Sequence, residues 1–321
     1  MSQSSQNSPL PGNPVPSIFS WLYAFWKFSR PHTIIGTSLS VVGLYLIAIA
    51  INGDVIHRVS TYSLLPVFGA WIACLCGNVY IVGLNQLEDV EIDKINKPHL
   101  PLASGEFSQQ TGQLIVASTG ILALVVAWLT GPFLLGMVAI SLAIGTAYSL
   151  PPIRLKQFPV WAALCIFSVR GTIVNLGLYL HYSWALHQSQ TIVPVVWVLT
   201  LFILVFTFAI AIFKDIPDME GDRLYNITTF TIKLGPQAVF NLSLWVITTC
   251  YLGIILVGVL HVASVNPIFL IVTHLGLLAW LWLRSLTVDL QDKSAIAQFY
   301  QFIWKLFFME YLIFPIACLL A

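Results

Sequence analysis

Charge is scarce along this chain. Only 8% of its 321 residues are charged, 58% are hydrophobic, and the mean hydropathy is +0.87. A soluble globular domain carries about 25% charged residues, so that class of protein is excluded. The strands of a membrane β-barrel alternate apolar and polar residues, and this chain lacks such alternation. Its apolar runs instead have the length of transmembrane helices, because about 20 residues cross the hydrocarbon core.

Other absences narrow the classes further. Basic patches that bind nucleic acid are missing, which sets that function aside. The five cysteines lie in or beside apolar runs and lack the paired loop spacing of a disulfide framework. Residues 1–20, rich in Ser, Pro and Asn, are predicted to form a disordered tail. This segment lacks the pattern of a secretory signal, so we expect a bacterial inner-membrane protein made without a cleaved leader.

Nine apolar runs predict an all-α membrane protein. No hydrophilic linker is long enough to separate a soluble domain, so residues 21–321 are predicted to form a single membrane-embedded domain. The predicted spans are residues 33–51, 63–87, 112–130, 132–150, 159–181, 192–213, 237–260, 266–284 and 302–320.

The basic residues predict how this helical bundle is oriented. With nine spans, nearly all of them lie on or near the side that holds the N-terminus, and Arg58 alone lies on the other side. Cytoplasmic loops carry an excess of Lys and Arg, so the N-terminal side is expected to be cytoplasmic. Arg170 lies inside the fifth span, where an ionisable residue is a candidate functional group. The basic residues on the N-terminal side are Lys27, Arg30, Lys94, Lys97, Arg154, Lys156, Lys214, Arg223, Lys233, Arg284, Lys293 and Lys305.

Acidic residues concentrate after the second span. Asn85, Asp89 and Asp93 are spaced i, i+4, i+8, which places them along one face of a helix. Like charges at this spacing repel each other, and the desolvation cost rises near lipid, so a cation should offset them. Carboxylate and amide oxygens suit Mg²⁺ or Mn²⁺ and do not suit zinc.

A second acidic cluster follows the sixth span. Asp218 and Asp222 are again four residues apart, Asp215 lies one turn earlier, and Pro217 marks a place where a helix breaks or begins. The two clusters occupy equivalent loops, as in two halves of a pseudo-repeat. Facing each other, they would hold Mg²⁺ ions. Because Mg²⁺ is usually held by few carboxylates together with substrate phosphates, the expected ligand is a diphosphate.

Basic residues at the same membrane face support a diphosphate site, since Arg and Lys stabilise a phosphate leaving group. An apolar substrate tail would explain the membrane location, and cleavage of its bond to diphosphate would generate an allylic cation. Aromatic rings stabilise such a cation, and Tyr148 lies beside the candidate site. The candidate diphosphate-binding bases are Lys94, Arg154, Lys156, Lys214 and Arg223.

Two other classes of function remain open at this point. A membrane cation transporter would use intramembrane acids as an ion path, but here the acids cluster at one membrane face. A non-catalytic membrane scaffold leaves both acidic clusters unexplained. Helix anchoring at the headgroups accounts for single Lys or Arg residues but does not call for paired Asp.

The two acidic segments resemble motifs of a known family. The stretches NQLEDVEID and DIPDMEGD are similar to the NxxxDxxxD and DxxxD motifs of the UbiA-type intramembrane prenyltransferases. Within that superfamily, the chain resembles the cyanobacterial homogentisate phytyltransferase branch. The stretches that carry this resemblance are FWKFSRPHTIIGT, GTAYSLPPIRLK and AIAIFKDIPDMEGDR. This resemblance implies a multi-pass enzyme of a cyanobacterial thylakoid or plasma membrane. It implies Mg²⁺ as cofactor and transfer of a phytyl group from phytyl diphosphate to homogentisate, in tocopherol synthesis. A solanesyl donor or a chlorophyllide acceptor is the alternative within the same chemistry.

The resemblance also implies roles for individual residues. Leu100 stands where many relatives carry an Arg, so the carboxylate of the acceptor is expected to meet Arg30, Arg170 or another cation. Arg154 or Lys156, after Tyr148, matches a diphosphate-binding base. The matching catalytic residues are Asp89, Asp93, Asp218 and Asp222, and the metal ligands are these four with Asn85 and Asp215.

Overall fold

The computed structural model describes residues 17–51, 61–225 and 227–321. Regular secondary structure in this part of the chain is entirely helical, which confirms the predicted fold class. Arg58 and residues 1–16 of the predicted tail lie outside the described residues. Helix α1 begins at Ile18, inside the predicted tail, because the Ser17 side chain accepts a hydrogen bond from Ser20 N–H and caps the helix.

Fifteen α-helices follow one another along the described chain. A short 3₁₀ turn at Leu155–Gln157 precedes α8, and a π-helical segment at Ser168–Ile173 joins α8 to α9. In order, the helices are α1 Ile18–Phe28, α2 Pro31–Ala50, α3 Thr61–Glu88, α4 Val90–Asn96, α5 Pro101–Ser104, α6 Gln109–Thr130, α7 Pro132–Ser149, α8 Pro159–Phe167, α9 Val174–Ala185, α10 Pro194–Phe213, α11 Asp215–Leu224, α12 Phe230–Leu234, α13 Pro236–Val259, α14 Pro267–Ser285 and α15 Lys293–Leu319.

Nine helical segments in the described residues are long and apolar enough to cross a membrane, which confirms the predicted spans. The fifth span is continuous over Pro159–Ala185 and so includes α8, the π-helical segment and α9. The largest difference concerns the ninth span. It begins at Lys293, well before the predicted residue 302, because the Asp292 side chain accepts a hydrogen bond from Ser294 N–H and caps extra turns.

Two of these helices form the centre of the bundle. The sixth and ninth spans, α10 and α15, are the most buried of the nine. Their aromatic side chains pack against one another: Phe206 and Phe307 are fully buried, with ring centroids 5.9 Å apart. Large buried rings of this kind dominate the packing energy of a helical core. The central pair therefore gives the neighbouring helices a rigid wall.

Helices α4 and α11 lie at the same end of the bundle. They follow the second and sixth spans, which run in the same direction through the bundle, and they pack against each other. The predicted acidic clusters are therefore brought together by topology, although the segments are far apart in sequence.

Candidate active site

The first acidic segment lies along one wall of a cavity. Helix α3 ends at Glu88, Asp89 interrupts the helix, and α4 begins at Val90, so the predicted continuous helix is broken at this point. The Asp93 N–H still donates to Asp89 O at 2.8 Å, which preserves the helical offset. Asn85 Nδ2 donates to Asp89 Oδ2 at 3.0 Å. All three predicted side chains, Asn85, Asp89 and Asp93, line the cavity.

The second acidic segment forms the opposite wall. Helix α11 begins at Asp215, and Pro217 lies in its first turn, where a missing backbone N–H costs no helical hydrogen bond. Asp215, Asp218 and Asp222 are buried and line the same cavity. The prediction that the two clusters contribute to one site is therefore supported by this geometry.

Two side chains at the end of α4 connect the acidic walls. Lys97 Nζ forms an ion pair with Asp218. Asn96 Oδ1 accepts from Gly221 N–H at 2.9 Å, and its Nδ2 donates to Asp222 Oδ1 at 3.5 Å. Neither residue was among the predicted site residues. Lys97 lies about one helical turn after Asp93, and Asn96 lies about one turn after Ile92. This spacing places both side chains on the face of α4 that meets α11.

Basic side chains surround both acidic walls. Arg154 Nη2 lies 3.1 Å from Asp89 Oδ1, and Lys156 Nζ lies 2.7 Å from Asp89 Oδ2. Lys214 Nζ lies 2.8 Å from Asp215 Oδ1. Lys156 and Lys214 line the cavity, whereas Arg154 reaches the site through its contact with Asp89. These contacts place three of the predicted diphosphate-binding bases at the site.

Lys94 and Arg223, the other two predicted diphosphate-binding bases, lie outside the cavity lining. Lys94 follows Asp93 by one residue and is rotated about 100° around α4, so it faces away from the cavity. Its Nζ contacts Glu91 at 2.6 Å on the exposed surface of the helix. Arg223 follows Asp222 in the same way and is also exposed. Neither side chain lines the cavity.

Several buried polar atoms at the site have no hydrogen-bond partner. They are Asp93 Oδ2, Arg30 Nε and Arg154 Nε. Lys156 Nζ is also buried, and it forms an ion pair with Asp89 Oδ2 at 2.7 Å. Unsatisfied buried polar groups are rare because each carries a desolvation cost. Unpartnered donors and an unpartnered carboxylate oxygen together match a ligand that brings both anionic oxygens and a cation.

The site also holds several buried carboxylates close to one another. Burial, together with the negative charge of Asp218, raises the pKa of Asp222 to about 7. Burial likewise raises the pKa of Asp93 and of Asp215, although nearby cations oppose the change. A carboxyl group with a raised pKa is one whose negative charge is poorly compensated by its surroundings. A bound divalent cation would supply that compensation.

The donor set fits magnesium, provided that the substrate contributes ligands. Carboxylate and amide oxygens from Asn85, Asp89, Asp93, Asp218 and Asp222 are hard donors of the kind that Mg²⁺ prefers. Among the described residues, no group of three His, Cys, Asp or Glu side chains is arranged to hold a metal ion without other ligands. Magnesium commonly takes one or two carboxylates, waters and substrate phosphates, so this arrangement suits a metal that arrives with a diphosphate.

The cavity extends from the acidic end into the membrane part of the bundle. Its volume is about 1420 Å³. Near the acidic end its wall includes Tyr148, and deeper in the bundle it includes Arg170, while apolar side chains of several spans complete the lining. Arg30, the other predicted acceptor-binding residue, also lines the cavity, with Nη2 3.5 Å from Asn85 Oδ1. The cavity therefore combines a charged end with a long apolar interior.

A nine-span helical bundle with paired aspartate helices over an apolar cavity defines a class of intramembrane enzymes that act on prenyl diphosphates. Residues 41–306 match the UbiA prenyltransferase family, and the chain belongs to that family.

Known proteins of similar sequence and fold agree with this assignment. The chain is 57% identical to a homogentisate phytyltransferase of Synechocystis sp., over 92% of this chain and 96% of that protein. It is 42% identical to the chloroplastic homogentisate phytyltransferase 1 of Arabidopsis thaliana, over 92% of this chain and 75% of that protein. A solved UbiA homologue from Archaeoglobus fulgidus bound to DMAPP and Mg²⁺ has the same fold. Its TM-score is 0.61 at 15% identity, over 93% of this chain and 99% of that one.

Proposed function

We propose that the protein transfers a phytyl group from phytyl diphosphate to homogentisate. The products are 2-methyl-6-phytylbenzoquinol, carbon dioxide and diphosphate, as in tocopherol synthesis. The observation that carries this proposal is the cavity that joins two buried aspartate walls to a long apolar interior. The identity to the Synechocystis enzyme, 57% over nearly the whole chain, supports the choice of donor and acceptor.

The charged end of the cavity binds the diphosphate in this proposal. Asp89, Asp93, Asp218 and Asp222, with Asn85 and Asp215 beside them, would hold magnesium, which supplies Lewis-acid stabilisation of the leaving diphosphate. Lys156 and Lys214 line the cavity, and Arg154 reaches it beside Asp89, so their cationic groups stabilise the growing negative charge on the diphosphate oxygens.

The interior of the cavity accommodates the apolar chain and excludes water. Once the bond between the prenyl carbon and the diphosphate oxygen breaks, the allylic carbon carries positive charge. Aromatic faces such as that of Tyr148 stabilise this charge, and a dry cavity prevents capture of the cation by water. The electron-rich hydroquinone ring of homogentisate then forms the new carbon–carbon bond.

The reaction balances without an oxidant or a reductant. The ring carbon that gains the phytyl group loses one proton. The side-chain carboxylate leaves as carbon dioxide, its bonding electrons stay on the methylene carbon, and one proton converts that carbon to the methyl group. The electron pair of the broken carbon–oxygen bond leaves with diphosphate.

A labelled-substrate assay tests this proposal. The purified protein in lipid receives Mg²⁺, homogentisate labelled in its carboxylate, and phytyl, geranylgeranyl or solanesyl diphosphate in separate reactions. Release of labelled carbon dioxide together with a phytylated quinol is the expected result. Turnover with the solanesyl donor alone would assign the protein to the longer-chain branch. Diphosphate release that requires another acceptor would overturn the homogentisate assignment.

We also propose that the acidic end of the cavity faces the cytoplasm, because the basic residues gather at that end. Ser104 is exposed near this end, and Ser189 is exposed in the loop at the opposite end. In a variant without the native cysteines, a membrane-impermeant thiol reagent added to inside-out vesicles should label Ser104→Cys. Labelling of Ser189→Cys alone would reverse the orientation.

A further inference from the structure

We infer that Arg170 binds the carboxylate of the aromatic acceptor from inside the membrane and so favours acceptors that carry a carboxylate. This inference rests on the proposed function, since it concerns how the same cavity selects its second substrate. It also separates the roles of Arg30 and Arg170, which sequence reasoning leaves as alternatives. The geometry places the two arginines in different surroundings.

Arg170 is a cation without a charged partner. It lies in the middle of the fifth span, and part of its surface forms the cavity wall. No ion pair joins it to a carboxylate in the described part of the chain. Its guanidinium carbon instead lies 5.1 Å from the ring centroid of Trp304 and 5.7 Å from that of Phe307. Ring faces offset only part of the cost of holding a charge at this depth, so an anionic ligand would complete the site.

The local backbone is adapted to hold this side chain. Arg170 lies in the π-helical segment, where Val174 N–H donates to Val169 O. Helices seldom contain such a turn, and π turns are frequent at functional sites. Asn175 Nδ2 donates to Gly171 O at 2.7 Å, and Asn175 Oδ1 accepts from the Tyr311 hydroxyl at 2.7 Å. Fully buried Asn175 therefore ties the irregular turn to the ninth span.

Two glycines provide the space around Arg170. A Cβ atom at Gly171 would lie 2.5 Å from Leu204 Cα, so the sixth span approaches the π-helical segment closely. A Cβ atom at Gly36 would lie 3.3 Å from Arg170 Nη1. The guanidinium thus lies against α2 at Gly36, while the backbone that carries it lies against the sixth span at Leu204.

Arg30 is a less suitable ligand for the acceptor. Its Nη2 lies 3.5 Å from Asn85 Oδ1, and its charge acts on Asp93, so it belongs to the acidic end where the diphosphate binds. Between the two arginines the wall is aromatic: the ring centroids of His32 and Trp304 are 4.7 Å apart. An acceptor held by Arg170 would place its hydroquinone ring along this wall, between Arg170 and the acidic end of the cavity.

Equilibrium binding tests the inference directly. The full-length protein in lipid nanodiscs is titrated with homogentisate and, separately, with its neutral lactone, which retains the ring but lacks the carboxylate. Arg170→Met should weaken homogentisate binding roughly 10- to 100-fold, the range expected for loss of a charge-assisted contact, while lactone binding stays the same. The KM for phytyl diphosphate should also stay the same. Equal weakening for both ligands, or no change for homogentisate, would overturn the inference.

Three further variants separate binding from misfolding. Arg284→Met removes another cavity-lining arginine that contacts an aromatic ring, Phe302, and it should leave homogentisate binding unchanged. Arg170→Lys keeps the charge but not the planar fork, so it should recover part of the affinity. Gly36→Ala would place a Cβ atom 3.3 Å from both Arg170 Nη1 and Phe308 Cε1, so it should shift the guanidinium and weaken homogentisate binding more than lactone binding. A loss of homogentisate affinity in Arg284→Met as large as in Arg170→Met would contradict the assignment.

Binding and turnover separate this inference from the proposed reaction. Binding that depends on Arg170, without release of labelled carbon dioxide by the wild-type protein, would refute the reaction and keep the acceptor site. Release of carbon dioxide by Arg170→Met with an unchanged KM for homogentisate would refute the acceptor site and keep the reaction.

Discussion

Replacement of Lys156 by Met is the sharpest test of the charged end of the cavity. Lys156 is 8% exposed, and its Nζ forms an ion pair with Asp89 Oδ2 at 2.7 Å. Burial lowers the pKa of this ammonium, and Asp89 opposes that change. Lys156 also lines the cavity, so its positive charge lies beside the proposed diphosphate site. Because Arg154 remains beside Asp89 in the variant, the fold should tolerate the substitution.

The size of the effect follows from one charge-assisted hydrogen bond. Such a bond contributes about 1.5–3 kcal/mol. A change of about 1.4 kcal/mol alters a rate tenfold, so turnover should fall roughly 10- to 150-fold. Negative charge grows on the diphosphate as the carbon–oxygen bond breaks, so the interaction strengthens in the transition state. The loss should therefore appear in kcat as well as in kcat/KM.

Steady-state release of diphosphate measures this effect, and Lys94→Met is the matched control. Lys94 belongs to the same end of the bundle, but its exposed side chain contacts Glu91 and not the cavity. Exposed ion pairs of this kind contribute about 0–1 kcal/mol, so the control should keep the wild-type kcat. Wild-type kcat in Lys156→Met, or an equal loss in Lys94→Met, would refute the assignment of Lys156.

Three other predictions concern the acidic walls. Asp89→Ala or Asp218→Ala should abolish turnover while expression stays normal, and near-normal turnover in either variant would remove the metal-site proposal. Removal of divalent cations with a chelator should stop diphosphate release, added Mg²⁺ should restore it, and the helical circular dichroism should not change. Gly221→Ala should lower turnover and weaken activation by Mg²⁺, because its Cβ would lie 2.4 Å from Asn96 Oδ1 and displace the Asn96 side chain from Gly221 N–H and Asp222. Gly136→Ala, whose Cβ meets no atom within 4 Å, is the control that should show no change.

Sequence reasoning predicted the bundle well because the hydrophobic effect acts on simple lengths. An apolar run of about 20 residues crosses a membrane wherever it occurs. The acidic walls could also be predicted from the sequence. The spacing of Asp89 and Asp93 gives a common helical face, and even-numbered spans return to the same end of the bundle. The start of the ninth span could not be predicted in this way. It depends on the cap at Asp292, beyond the apolar run.

Side-chain direction within the site was harder to predict than the site itself. Lys94 and Lys97 both follow the first acidic segment, and composition does not separate them. The structure does, because α4 directs Lys94 outward and brings Lys97 to Asp218. The irregular turn around Arg170 could not be predicted either, because a π-helical segment has no strong signature in residue type. It is visible only when the hydrogen bonds of the helix are traced.

The cavity contains buried charged groups of opposite sign at two depths. At its entrance, the pKa values of the Asp93 and Asp222 carboxyl groups are raised, chiefly because burial removes these groups from water. In its interior, the guanidinium of Arg170 lies beside the rings of Trp304 and Phe307 and has no ion pair with a carboxylate of the described residues. The two charges do not neutralise each other, because aromatic side chains separate them and no ion pair connects Arg170 to the acidic walls. In the proposed reaction, magnesium with the diphosphate would complete the entrance, and the carboxylate of the acceptor would complete the interior. The reacting carbons would then meet between two compensated sites, on the aromatic surface suited to a transient cation.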